Sequence, residues 1–306
     1  MIPTVLLAAA LAVSPPQVFD PPPLPPGPIG APAGSGPFKA IAEARADAPG
    51  YTIYRPVRLP ARALPLVLWG NGGCRDNGLS ASHFLREVAS RGYIVVANGA
   101  PRAEKPAVAA VPVNTTPAAP FAPAVLTPDA TTVAQLLGGI DWAKSAFGRH
   151  VDTDRVAVMG HSCGGLQAIA AGADPRIATV VIYDSGIYNR PLDAPGRLSL
   201  DKSALRRLHT PVLYVLGGPA DIAWPNGSDD VARIEHVPVA LASLAVGHGG
   251  TFPVTDGGDW ARVGTAWLDW QLKHDRAAGR TFVGRACKLC TDTRWTLVRK
   301  HFPETP

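Results

Sequence analysis

Short apolar runs alternate along this chain with stretches whose apolar residues recur every three or four positions, the periods of buried strands and of amphipathic helices. Residues 66–69 read as a buried strand, 80–91 as a helix with Ser80 or Ser82 as its N-cap, and 93–97 as the next strand. After a gap the alternation resumes with a helix over 129–147, a strand over 155–159, a helix over 165–171 and strands over 177–183 and 212–216. A helix near 228–236, a strand over 240–246 and an amphipathic helix over 259–274 complete the series. This order predicts an α/β fold with a mainly parallel central sheet and helices on both faces. The gap, residues 99–128, is rich in Pro and Ala and predicts a long loop over the C-terminal edge of that sheet.

The ends of the chain read differently. Residues 2–13 form an apolar stretch too short to span a bilayer, and Ala10-Leu11-Ala12 has the small-x-small pattern of a cleavable leader. The expected organisation is a signal peptide over 1–14, a Pro/Gly-rich linker over 15–37 outside the fold, and one domain over 38–306. A secreted or periplasmic protein without stable membrane insertion follows. Among 306 residues the net charge is +5, but the Lys and Arg residues are scattered and form no stripe suited to nucleic acid. Four cysteines suit an oxidising compartment. Cys287 and Cys290 near the C-terminus lack a second Cys or His pair at zinc-site spacing, so a small structural disulfide is expected there rather than a metal.

Candidate chemistry centres on Gly160-His161-Ser162-Cys163-Gly164, where the strand of 155–159 breaks into a helix. Gly-x-Ser-x-Gly in that context is a nucleophile elbow, which lifts Ser162 clear of the backbone. A serine hydroxyl is a poor nucleophile at neutral pH and needs a base within reach and a carboxylate to orient that base. His248 fits as base, because a strand runs into Gly247-His248-Gly249-Gly250; His161 adjoins Ser162 with its side chain expected to point elsewhere. Asp221, just past the strand of 212–216, is the preferred acid, and Asp184, past the preceding strand, is the alternative. Asp229 and Asp230 are expected to cap the following helix.

An oxyanion formed at the acyl carbon needs preorganised N–H donors. Cys163 should supply one, and Asn71, or alternatively Gly72, the other, from the turn Gly70-Asn71-Gly72-Gly73-Cys74. Two turns that serve one oxygen must lie close, so a Cys74–Cys163 disulfide is one expectation and two free thiols the other. Trp69, Tyr183 and Trp224 lie near strand ends and are candidates for the wall of an apolar acyl pocket, or else plain core.

With these residues in place the chain resembles the α/β-hydrolase superfamily, and within it the secreted polyester hydrolases, cutinase-like and dienelactone-hydrolase-like esterases. The closest stretch runs from Val151-Asp152-Thr153-Asp154 through Met159-Gly160-His161-Ser162, and similarity of order and spacing covers 38–275. The resemblance implies the α/β-hydrolase fold, a triad of Ser162, Asp221 and His248, and no cofactor. Two features depart from the family: Cys163 stands where its members carry Met or Gln, and Asn71-Gly72-Gly73-Cys74 replaces their oxyanion turn. Polyester cleavage is therefore not carried over. The expected activity is cleavage of a small-molecule or polymer carboxylic ester through an acyl-enzyme. A serine peptidase of prolyl-oligopeptidase type and a non-catalytic binding protein on a hydrolase fold are the alternatives.

Overall fold

The computed structural model describes residues 24–102, 128–191 and 194–303. Among them a nine-stranded sheet runs through the molecule. Its strands are β1 (Ala40–Glu43), β2 (Tyr51–Pro56), β3 (Leu64–Gly70), β4 (Ile94–Asn98), β5 (Val151–His161), β6 (Ile177–Tyr183), β7 (Val212–Leu216), β8 (Val239–Leu244) and β9 (Trp295–Lys300). The spatial order is β1-β2-β4-β3-β5-β6-β7-β8-β9. From β4 to β8 all neighbours are parallel, while β1 and β2 at one edge and β9 at the other pair antiparallel. The helices are α1 (Ser82–Ser90), α2 (Val133–Phe147), α3 (Cys163–Ala171), α4 (Trp224–Arg233), α5 (Gly258–Lys273), α6 (Arg276–Gly279) and α7 (Lys288–Thr291). The fold is thus α/β with a mostly parallel sheet. Among the described residues no helix is long and apolar enough to cross a membrane.

Alternating side chains of the strands feed two cores, one on each face. In β3, Val67 and Trp69 join Phe84 of α1 and Trp260 and Trp267 of α5, whereas Leu66 and Leu68 join Leu136 and Ile140 of α2 and Leu166 of α3. The chain leaves β3 through α1 to β4 and returns through α2 to β5 on the other side of β3. That reversal lies at the C-terminal ends of β3 and β5, the position at which open α/β sheets bind ligands.

Several expectations are corrected. Neither Ser80 nor Ser82 caps α1: the cap position is Ala81, and the Ser80 hydroxyl donates instead to Asn71 Oδ1 at 3.2 Å. The helix expected near 228–236 starts at Trp224, with Pro225 in its first turn, where a missing N–H costs nothing. Asp229 and Asp230 therefore lie inside α4 and do not cap it. Of the linker, residues 24–37 dock on α1. Arg86 donates to the carbonyls of Gly27 and Pro28 at 2.8 and 2.7 Å, Gly36 N–H donates to Ser90 Oγ at 2.9 Å, and Leu24 N–H to Pro253 O at 2.8 Å. An extended Pro-rich backbone leaves its carbonyls free, and α1 supplies the donors. The leader, residues 15–23 and 103–127 of the long loop lie outside the described residues.

At the C-terminus, Cys287 and Cys290 form a disulfide at the start of α7, Cα to Cα 4.9 Å. The segment beyond it enters the sheet, since β9 covers the edge of β8.

Candidate active site

Ser162 sits between β5 and α3 with φ 53° and ψ −119°, a backbone conformation that costs a non-glycine residue strain. Its N–H donates to Tyr183 O at 3.0 Å, and its carbonyl accepts from Ser185 Oγ at 2.6 Å, so the end of β6 and the loop after it brace the turn from both sides. The elbow also packs against β3. A Cβ on Gly164 would lie 2.1 Å from the Gly70 carbonyl carbon and oxygen and 2.7 Å from Asn71 N. Only glycine permits that approach, which sets the Asn71 amide against the first turn of α3. Cys163, the first residue of α3, has an N–H with no carbonyl four residues back to receive it within the helix.

His248, in the loop after β8, places Nε2 3.0 Å from Ser162 Oγ and Nδ1 2.7 Å from Asp221 Oδ1. A carboxylate only accepts, so the ring proton sits on Nδ1 and the Nε2 lone pair faces the serine hydroxyl. Asp221, in the loop after β7 and 2 % exposed, also accepts from Ala223 N–H at 2.9 Å and Gly217 N–H at 3.3 Å. Burial alone would raise its pKa, but the hydrogen bonds from His248 and the Ala223 amide hold it below the ordinary carboxylate value. The three residues come from the C-terminal ends of β5, β7 and β8.

The turn after β3 is fastened from several directions. The Asn71 side chain is buried; its Oδ1 accepts from Trp69 Nε1 at 2.9 Å, and its Nδ2 donates to the carbonyls of Arg75 and Asn98. With its amide group consumed, only its backbone N–H can serve a ligand. Cys74 and Cys163 are joined by a disulfide, Cα to Cα 5.3 Å. Ala130 and Thr131 N–H both donate to Cys74 O at 3.0 Å. Asp129 Oδ1 lies 3.5 Å from Cys163 Sγ, while its Oδ2 accepts from Leu198 N–H at 2.7 Å. The turn after β3, the elbow and the chain before α2 are therefore one tied unit.

Two residues next to this set take places that the sequence reading did not give them. The His161 side chain does not point away: it turns to the His248 loop, where Nε2 donates to His248 O at 2.8 Å, and packs on Phe252 with ring centroids 5.0 Å apart. A Cβ on Gly72 would fall 2.6 Å from His161 Nδ1, so the ring also lies against the turn after β3. Burial, then the neighbouring His248, lower His161 to about 4, which keeps it neutral. The His248 ring pairs with Asp221 rather than with Asp184, the alternative acid. The Asp184 carboxyl is wholly buried and lies beside that of Asp221. Burial, then the Asp221 charge, raise Asp184 well above the ordinary value. A strand pattern shows neither relationship, because both are made by side chains of separate loops.

Of the three aromatics read as pocket wall or plain core, two are core. Trp69 and Tyr183 are 1 % and 0 % exposed and pack against Phe84 and Phe252 inside the core. Trp224 is half-buried at the start of α4 and leans on the opposite core. Asp229 pairs with Arg233 and Lys202, and Asp230 is buried against Lys202, Tyr214 and the Ile187 amide. No protein-family model matches the chain, and no curated protein matches it.

Proposed function

We propose that this chain is an exported serine carboxylester hydrolase with an α/β-hydrolase fold, related in design to the secreted polyester, cutinase-like and dienelactone hydrolases. The observation that carries the reading is the unbroken hydrogen-bond relay Ser162 Oγ, His248 Nε2, His248 Nδ1, Asp221 Oδ1 on a strained elbow. Strain of this kind is retained where a side chain must be held out of its own backbone. The reversal of strand order beside Ser162 supports the same place for a substrate. The two disulfides suit an oxidising compartment.

In this reading Ser162 Oγ attacks the acyl carbon as His248 Nε2 takes its proton, and Asp221 steadies the imidazolium that results. The oxyanion meets the Cys163 N–H and the Asn71 N–H, with Gly72 N–H the alternative donor. Collapse expels the alcohol, which takes its proton from His248. Water then attacks the acyl-Ser162 by the same path in reverse. These groups supply nucleophile, base and oxyanion donors, so the cycle calls for no cofactor.

Labelling with a fluorophosphonate and mapping the adduct tests the reading, followed by a series of p-nitrophenyl esters of increasing acyl length. Adduct at Ser162 and turnover of some member are expected. A folded protein that takes no label and turns over no ester would leave a binding protein as the better description.

A further inference from the structure

Asp184 is a buried titratable group that the acyl-transfer steps above leave unused. It follows β6 with φ 43°, and its N–H donates to Val215 O at 2.9 Å, which pins it between the ends of β6 and β7. Its side chain is wholly buried, with Oδ2 accepting from Trp260 Nε1 at 3.2 Å and Oδ1 without an N–H or side-chain O–H donor. His161 Nε2 lies 3.9 Å from Oδ2, but its proton is given to His248 O. What the carboxyl does meet is the carboxyl of Asp221.

Two facing carboxylates in a dry site cannot both be ionised without strong repulsion. One proton shared between them turns the clash into a hydrogen bond. Asp221 is the partner that keeps its charge, since it accepts from His248, Ala223 and Gly217, whereas Asp184 has one full donor and deeper burial. The other titratable groups around the pair are His161 on β5 and Tyr183 on β6. Among the described residues no Lys or Arg forms an ion pair with either carboxyl.

We propose that Asp184 is a positioning residue for the relay: its carboxylic acid O–H donates to the Asp221 carboxylate and holds that carboxylate in register with His248. Without this bond the Asp221 side that faces away from His248 is held only by the long Gly217 contact of 3.3 Å. The carboxylate is then free to rotate, and His248 loses its fixed angle toward Ser162. The inference rests on the reading of Ser162, His248 and Asp221 as a hydrolytic triad.

The test uses the whole chain with Asp184→Asn, which keeps an N–H donor in nearly the same shape, and Asp184→Ala, which removes it. Infrared spectroscopy of the wild type at pH 7 should show the C=O stretch of a protonated carboxylic acid, shifted in D2O and absent from Asp184→Asn. Ester turnover by Asp184→Asn should stay within about threefold of wild type, while Asp184→Ala loses about tenfold in kcat with KM little changed, as expected for a lost hydrogen bond to a charged group. Wild-type kcat should fall at alkaline pH, when Asp184 ionises and the two carboxylates repel, and Asp184→Asn should lack that limb. Absence of the acid band, equal losses in the two variants, or full activity of Asp184→Ala would overturn the proposal. Should Asp184→Ala not fold, the infrared band and the alkaline limb decide it. Failure of fluorophosphonate labelling at Ser162 would instead remove the hydrolase reading, and the infrared band would still decide whether Asp184 carries the shared proton.

Discussion

His161 and His248, adjacent through their rings with centroids 5.2 Å apart, are joined by a hydrogen bond from His161 Nε2 to the His248 carbonyl at 2.8 Å. The residue before Ser162 thereby holds the loop that carries His248. That bond needs the His161 proton on Nε2, and the contact with Gly72 lets the same ring support the turn after β3.

Neutrality of this ring has a consequence for acid stability. Unfolded, His161 takes up a proton as pH falls through about 6.5, whereas in the fold it resists until about 4. Between those values the unfolded chain binds more protons, so stability falls as pH falls, by roughly 3 kcal/mol in all. His161→Gln, which can still donate to the His248 carbonyl, should flatten melting temperature against pH over this window. Parallel curves for variant and wild type would contradict the assignment.

Asp184 acts in the opposite sense. Its pKa is raised well above 3.8 by burial and then by Asp221, so above pH 4 the unfolded chain gives up a proton that the folded chain keeps. Stability contributed at this site therefore declines as pH rises, by about 1.4 kcal/mol per unit until Asp184 itself ionises. Asp184→Asn should match wild type near pH 3 and become the more stable protein toward pH 7. Denaturant unfolding at several pH values measures the difference; a constant gap across them would show that Asp184 folds ionised.

Ser162→Ala and His248→Ala should each remove nearly all ester hydrolysis, about 10^4-fold or more in kcat, with the fold intact, because the relay acts as a unit. Asp221→Asn should lose far more activity than Asp184→Asn, since only Asp221 touches His248. Circular dichroism and single-turnover kinetics on the purified variants check this. Greater loss in Asp184→Asn would move the orienting acid to the end of β6.

The two disulfides should differ sharply. Cys74–Cys163 closes a separation of 89 residues and Cys287–Cys290 one of 3. Loop entropy then predicts a loss of about 2–4 kcal/mol on replacing the first pair by Ala and little on replacing the second. Assayed well below its melting temperature, the Cys74/Cys163 double variant should also have a reduced kcat, because the link ties the turn after β3, proposed to supply an oxyanion donor, to the elbow. Unchanged kcat would reduce the bridge to a staple of the fold.

How much of this was legible before folding depends on the range of the interactions involved. The strands 177–183 and 212–216 coincide with β6 and β7, since buried parallel strands are continuous apolar runs between breakers, a purely local signal. The elbow and the positions of Asp221 and His248 past strand ends were legible for the same reason, as was the pairing of Cys287 with Cys290. β1, β2 and β9 were not: short antiparallel edge strands carry mixed patterns, and pairing with a neighbour far along the chain decides them. Nor did position near a strand end tell whether Trp69 and Tyr183 face a cleft or the core, because that depends on α1 and Phe252 covering them. The turn of His161 toward a residue 87 positions away, the docking of 24–37 on α1 and the meeting of Asp184 with Asp221 belong to tertiary structure alone. Periodicity records which face of an element is buried, while the partner found there is set only when separate loops close on one another.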